Sequence, residues 1–172
     1  LIIRILFYLF GASIFYGADF NYYINHGDTY DYFTPIYNFI HNGIYSGNLT
    51  HPNGVVSRMP GYPLILGAFY LISGFDKEIA FSLVSLFQII LDSVCIYLLF
   101  KAISNIFQNI KVAYISAVLY STYPFIIVWN PVIAGESIGV ALSIIILFIL
   151  SLKDFKYKYL ILGRSEERRV GK

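Results

Sequence analysis

IAFSLVSLFQIILDSVCIYLLF, residues 79–100, is a run of 22 residues interrupted by one charge, Asp92. Wound as an α-helix it is about 33 Å long at 1.5 Å per residue, enough to cross a hydrocarbon core of about 30 Å. A helix flanking a soluble core needs only an apolar stripe, whereas this run is apolar on every side. Similar runs lie on both sides of it, at Ile2 to Ala18, Val112 to Trp129 and Glu136 to Leu152, and a fifth opens at about Tyr159. These spacings predict an all-α fold, a polytopic transmembrane bundle spanning residues 2–18, 79–100, 112–129 and 136–152 and beginning a truncated span from 159.

Composition agrees with that expectation. The chain is 58% hydrophobic and 13% charged, with a mean hydropathy of +0.67; soluble domains carry about 25% charge. The formal charge of +2 is local, because four of the twelve basic and two of the ten acidic residues fall in Arg164 to Lys172. The remainder is neutral, and no basic patch is left for nucleic acid. The closing GRSEERRVGK, residues 163–172, follows the apolar Tyr159 to Leu162 abruptly. It resembles translated adaptor read-through and is taken as a non-native tail, the alternative being a genuine cytoplasmic tail. The chain also begins at Leu1, partway into an apolar run, so it is expected to be the N-terminal part of a longer protein. The single cysteine, Cys95, lies inside an apolar run and is expected as a small buried residue.

Between the first and second spans the chain turns polar and aromatic from Asp19 to about Met59. Within it, TYDYFTPIYNFIHNGIY sets Phe33, Ile36, Tyr37, Ile40 and Ile44 at intervals of three and four. That spacing fits a short amphipathic helix on a membrane surface. Ser57 to Gly74, SRMPGYPLILGAFYLISG, restrains its own start with Pro60 and Pro63, and its apolar part, Leu64 to Ile72, is too short to span alone. It is expected as a second interfacial or partly inserted helix. A polar hinge is expected at Lys101 to Lys111 and a tight turn at Asn130 to Gly135. Lysine and arginine in short loops mark the cytoplasmic side. Arg4, the pair Lys101 and Lys111, and the trio Lys153, Lys156 and Lys158 then share that side. The long first loop and the 130–136 turn share the extracytoplasmic one, giving a multi-pass protein of the cytoplasmic membrane.

Three charged groups converge on the extracytoplasmic face under that topology. Asp28 lies in GDTYDY, Arg58 opens RMPGYP, and Glu136 stands in GES at the head of the fourth span. Each also has a plainer reading: Asp28 as a loop acid or helix N-cap, Arg58 as a snorkelling interface anchor, and Glu136 as a first-turn acid suited to the helix dipole. Asp92 is expected as a polar contact between helices. His26, His41 and His51 lack the spacing of a metal site, and none is assigned. The sequon Asn48-Leu49-Thr50 carries meaning only in a secreted eukaryotic setting.

Taken in order, GDTYDY after the first span, the R-x-P-G-Y-P segment Arg58 to Pro63, and a Glu after an aromatic-Pro pair (Tyr123-Pro124, then Glu136) resemble a family. The likeness is to the N-terminal part of polyprenyl-phosphate-dependent glycosyltransferases of the GT-C fold. It is nearest to the glycosyltransferase family 39 group of protein O-mannosyltransferases and lipid A aminoarabinose transferases, and covers about residues 1–162. Many members carry two adjacent acids in the first loop, whereas here Thr29 follows Asp28 and the next acid is Asp31, so the match lies open between the two. The resemblance implies transfer of a sugar from a polyprenyl-phosphate donor to an acceptor hydroxyl at the outer membrane face. The acceptor would be a glycan, lipid or protein, and membrane lipids the other partners. Asp28 would be the catalytic base, Glu136 a second acid orienting acceptor or sugar, and Arg58, Tyr62 and Asp31 substrate-binding residues. No cofactor is implied with certainty beyond the lipid-linked donor itself. The alternative is a transporter or flippase for a lipid-linked sugar, or a non-catalytic membrane subunit.

Overall fold

The computed structural model describes residues 1–16, 27–51 and 58–152. The expected tail at 163–172, the start of a fifth span at 159, the trio Lys153, Lys156 and Lys158, the last residues of the first span at 17–18 and His26 lie outside them. The described residues form seven α-helices and no strand: α1 Ile2–Tyr16, α2 Thr29–Asn42, α3 Gly61–Ile72, α4 Lys77–Phe107, α5 Ile110–Thr122, α6 Pro124–Trp129 and α7 Gly135–Ser151. The fold is all-α, and α4 is its axis. Its 31 residues are apolar enough, and long enough, to cross a membrane, which holds for no other described helix. Helices α3, α5 and α7 pack along α4, α2 lies on α3, and α1 meets α6.

α4 starts where Asp76 caps it, accepting a hydrogen bond from the Ile79 amide at 3.0 Å. The helix ends within the expected hinge at Lys101 to Lys111, though past its first residues. The helix runs on to Phe107, with the Lys101 ammonium 5.6 Å from the Tyr97 ring centroid one turn back. A long side chain can reach past its own helix without breaking it, so a lysine alone is no stop signal. The chain turns at Gln108, in the left-handed region at φ 51°, and at Asn109. The Asn109 side chain then caps α5 by accepting from the amides of Lys111 and Val112.

A second difference lies in the run 112–129, expected as one span. It is two helices, broken between Tyr123 and Pro124. Proline cannot donate to the preceding turn and forces the residue before it out of the helical region; Tyr123 is accordingly extended, at ψ 114°.

The core lies where α2, α3 and α4 meet. Phe33 is edge-on to both Phe81 and Tyr70 at 5.1 and 5.2 Å, and Ile36, Leu66 and Val84 are buried beside them. The amphipathic stripe expected on α2 therefore divides. Phe33 and Ile36 pack against the protein, while Tyr37 and Ile44 remain exposed. A neighbouring helix and a membrane satisfy the same apolar stripe, and the pattern alone does not choose between them. The approach of α2 to α3 is close enough that a Cβ at Gly67 would sit 2.5 Å from Ile36 Cγ1. A smaller cluster around buried Cys95, Ala141 and Ile144 joins α4 to α7.

Arg4 is also not where the charge pattern puts it. It is 2% exposed and ion-paired through Nε to Asp92, the middle residue of α4. The Tyr8 hydroxyl donates to the Ser82 carbonyl further toward the start of α4, so α1 runs antiparallel to it. Arg4 thus sits at mid-length of the long helix, not level with Lys101 toward its C-terminal end.

Candidate functional site

Asp28 takes the N-cap place of α2, yet its backbone is already helical (φ −76°, ψ −13°) and its carboxylate caps nothing. It faces Arg58 instead, with Oδ2 2.9 Å from Nη2. Asp31 lies three residues on, on the same face of the helix, with Oδ2 3.8 Å from the same nitrogen. The guanidinium lies over the Tyr32 ring, 4.7 Å from its centroid. The Arg58 carbonyl accepts from the Tyr45 hydroxyl at 3.2 Å. The carboxylates are about half exposed and the arginine a third, so an approaching solute can reach them.

Behind this cluster the groups become buried. Tyr32 meets Tyr62 edge-on at 5.1 Å. Tyr62, in the first turn of α3, donates to Gln88 Oε1 at 2.6 Å. Burial first, then the neighbouring Tyr32 and Glu136, push the Tyr62 phenol well above its ordinary value, so it remains a donor.

Gln88 in turn donates through Nε2 to the carbonyls of Asn130 and Val132. Ser85 donates to the Pro131 carbonyl and Thr29 to that of Ile133. Four successive carbonyls of the turn before α7 are thereby tied to α4 and α2. A buried turn must find partners for its backbone somewhere, and here polar side chains on apolar helices supply them.

That turn delivers Gly135 and Glu136. Glu136 is exposed in the first turn of α7. It lines a cavity of about 310 Å³ with Asp92, Phe125, Trp129, Asn130 and Val140 among its other walls. Asp92 is fully engaged there, by Arg4 on one oxygen and by the Tyr120 hydroxyl on the other at 2.6 Å. Two buried donors, Arg4 Nη2 and Asn130 Nδ2, lack a partner among the described residues.

Of the residues singled out in the sequence, Asp28, Asp31 and Arg58 come into direct contact, and Tyr62 lies one aromatic ring away. Glu136 does not join that contact; it is near enough to act on Tyr62 electrostatically but in no ion pair with a described residue. His41 joins an aromatic cluster, its Nε2 3.3 Å from the Tyr70 hydroxyl, and His51 is exposed. Sequence reasoning missed Tyr32 and Gln88. Gln88 was visible in principle, since an amide inside an apolar run needs a hydrogen-bond partner. Tyr32 had no signal to separate it from the other tyrosines around it.

What the cluster can do follows from its groups. An accessible carboxylate can take a proton from a hydroxyl. A guanidinium with five N–H donors in a planar fork, of which the described carboxylates engage Nη2 alone, can still bind an oxyanion. No family model matches this chain, and no curated protein or solved structure matches it.

Proposed function

We propose that this chain is the N-terminal part of a multi-pass membrane glycosyltransferase that moves a sugar from a polyprenyl-phosphate donor to an acceptor hydroxyl outside the membrane. The observation that carries the reading is the meeting of Asp28, Asp31 and Arg58, which come from separate segments of the long first loop. The membrane setting rests on the length of α4 and on apolar side chains left bare along the helices, such as Ile2, Ile14, Ile72, Ile90 and Leu119, each more than half exposed. Apolar side chains exposed in this number call for lipid or further protein to cover them. The apolar runs at α1, α5 with α6, and α7 would be the remaining spans, with α2 and α3 at the outer interface.

In the proposed reaction the acceptor oxygen attacks the anomeric carbon while the bond from that carbon to the phosphate oxygen breaks. Its electron pair leaves on the lipid phosphate, and the acceptor proton passes to Asp28. Arg58 offsets the charge growing on the phosphate. Asp31 shares the guanidinium with Asp28 and takes part in substrate binding beside it, and Glu136 orients the sugar or acceptor.

The test is transfer from radiolabelled polyprenyl-phosphate-sugar in membranes carrying the full-length gene product. Asp28→Asn should lose about a hundredfold or more while still inserting, since base catalysis contributes about 10²–10⁴-fold. Equal transfer by wild type and variant would reduce Asp28 to a loop acid and move the test to Asp31. A second reading, a transporter of lipid-linked sugars, is favoured by one observation: the break at Pro124 leaves a half-helix beside a cavity and a buried ion pair, and broken spans near charged groups are a transporter feature. Wild-type membranes that bind the donor and transfer nothing would favour it.

A further inference from the structure

We infer that Tyr32 is a positioning residue, the side chain that holds Arg58 in place for the anionic group of the substrate; its part in turnover rests on the transferase reading. Three contacts meet at this one ring. The Arg58 guanidinium lies 4.7 Å from its centroid, Tyr62 packs against it edge-on at 5.1 Å and 81°, and its hydroxyl lies against Gly135, where a Cβ would come within 3.3 Å. Asp28 and Asp31 alone cannot fix the guanidinium. Half-exposed ion pairs contribute about 0–1 kcal/mol and leave a long side chain free to swing. A ring face beneath the guanidinium limits it to one plane, and an edge of Tyr62 keeps the ring itself from turning. Tyr62 is anchored through Gln88 to the turn that carries Glu136. Tyr32 is therefore where α2, the Arg58 segment and the start of α7 are brought into register.

The experiment compares wild type, Tyr32→Phe, Tyr32→Leu and Gly135→Ala in the full-length protein, with two readouts. The first needs no turnover. It is the rate at which phenylglyoxal modifies Arg58, read by mass spectrometry of the peptide, with buried Arg4 as the internal marker of an intact fold. Tyr32→Leu should expose Arg58 to faster modification while Arg4 stays protected, and Tyr32→Phe, which keeps the ring, should match wild type. The second is transfer kinetics. Tyr32→Leu should lower kcat by about tenfold, the range of a partly desolvated cation–π contact, with the acceptor KM unchanged. Tyr32→Phe should restore it, and Gly135→Ala should fall between.

Unchanged Arg58 labelling in Tyr32→Leu overturns the inference, whatever the kinetics. Faster labelling with unaltered kcat in a protein that transfers sugar also overturns it, because a mobile Arg58 would then serve equally well. If wild type transfers nothing, it is the transferase reading that fails. The hold of Tyr32 on Arg58 is then decided by the labelling alone.

Discussion

Two arginines among the described residues, Arg58 and Arg4, meet aspartates with nearly the same chemistry in opposite surroundings. Arg58 with Asp28 is a third to a half exposed, lies at the helix ends and stacks on an aromatic ring. Arg4 with Asp92 is almost wholly buried at the middle of α4, with Tyr120 on the second carboxylate oxygen and the Ser121 carbonyl on the arginine. An exposed pair gains little from its charges because water screens them. A buried pair is dangerous to break because each charge has been stripped of water on the strength of the other. The first pair is therefore free to exchange partners, which suits a site. The second is a fastening of α1 and α5 to α4.

That contrast predicts the largest effect. Asp92→Leu leaves Arg4 buried without a counter-charge and should cost about 3–5 kcal/mol in thermal unfolding of the detergent-solubilised protein. Asp28→Ala should cost no more than about 1 kcal/mol. The double change Arg4→Met with Asp92→Leu should recover most of the loss, since an apolar pair of similar volume often replaces a buried ion pair at little cost. If Asp92→Leu is as mild as Asp28→Ala, the two contacts do not differ as their burial implies.

Gln88→Leu sharpens the comparison from the other side, because Gln88 links the exposed site to the buried turn. Removing the amide strands the Asn130 carbonyl and leaves the Tyr62 hydroxyl proton without its acceptor, while the Ala134 amide still serves the Val132 carbonyl and the Tyr62 oxygen. At about 1–3 kcal/mol for a stranded buried group, a total near 3 kcal/mol is expected by the same unfolding measurement. Sugar transfer should fall with it as the turn before Glu136 loosens. A stable Gln88→Leu protein would mean that the turn is held by Ser85 and Thr29 alone.

The uneven legibility of the sequence has the same physical origin. Hydropathy reports which solvent a segment prefers, so the helical runs are visible in it. The expected topology put Asp28, Arg58 and Glu136 on one face, but nothing in the sequence paired Asp28 with Arg58. Pairing inside an apolar environment leaves no trace either. Arg4 looks like an interface charge, and only the antiparallel packing of α1 on α4 brings it to Asp92. The end of α4 falls inside the expected hinge at 101–111, and the residue that fixes it there is Asn109, whose side chain accepts from the first amides of the next helix. The break at Pro124 was in plain view, and apolarity on both sides of it hid it.

A smaller effect tests the packing of α2, the helix that carries both acids of the site. Gly67→Ala places a methyl group 2.5 Å from Ile36 Cγ1, an inner atom of the side chain that cannot simply swing away. Overpacking of this kind costs about 1–3 kcal/mol. Alanine returns up to about 1 kcal/mol through helix propensity, so a net loss near 1 kcal/mol is expected. Adding Ile36→Val should relieve part of it. A stabilised Gly67→Ala protein would show that α2 can shift on α3 without strain, and Asp28 would then have a softer mount than the structure describes.

At neutral pH the effect that isolates Tyr62 vanishes, because it is a pH dependence that sets in only under alkaline conditions. Its phenol is raised above the ordinary value in the folded protein by burial and by the nearby Tyr32 and Glu136. In the unfolded chain it titrates near pH 10. Below that pH both states hold the proton, and Tyr62 adds no pH dependence to stability. Above it the unfolded chain releases the proton while the folded one retains it. The unfolded state then binds fewer protons, and stability must fall as pH rises, by at most about 1.4 kcal/mol per pH unit from this one group. Other tyrosines titrate in the same window, so the quantity to measure is the difference between wild type and Tyr62→Phe in unfolding midpoint across pH 8 to 11. The two curves should run parallel up to about pH 9.5 and converge above it, as wild type loses an advantage the variant never had. Curves that stay parallel throughout would mean that Tyr62 ionises as readily in the folded state as in the unfolded one. The buried bond to Gln88 could not then be what holds the aromatic layer beneath Arg58.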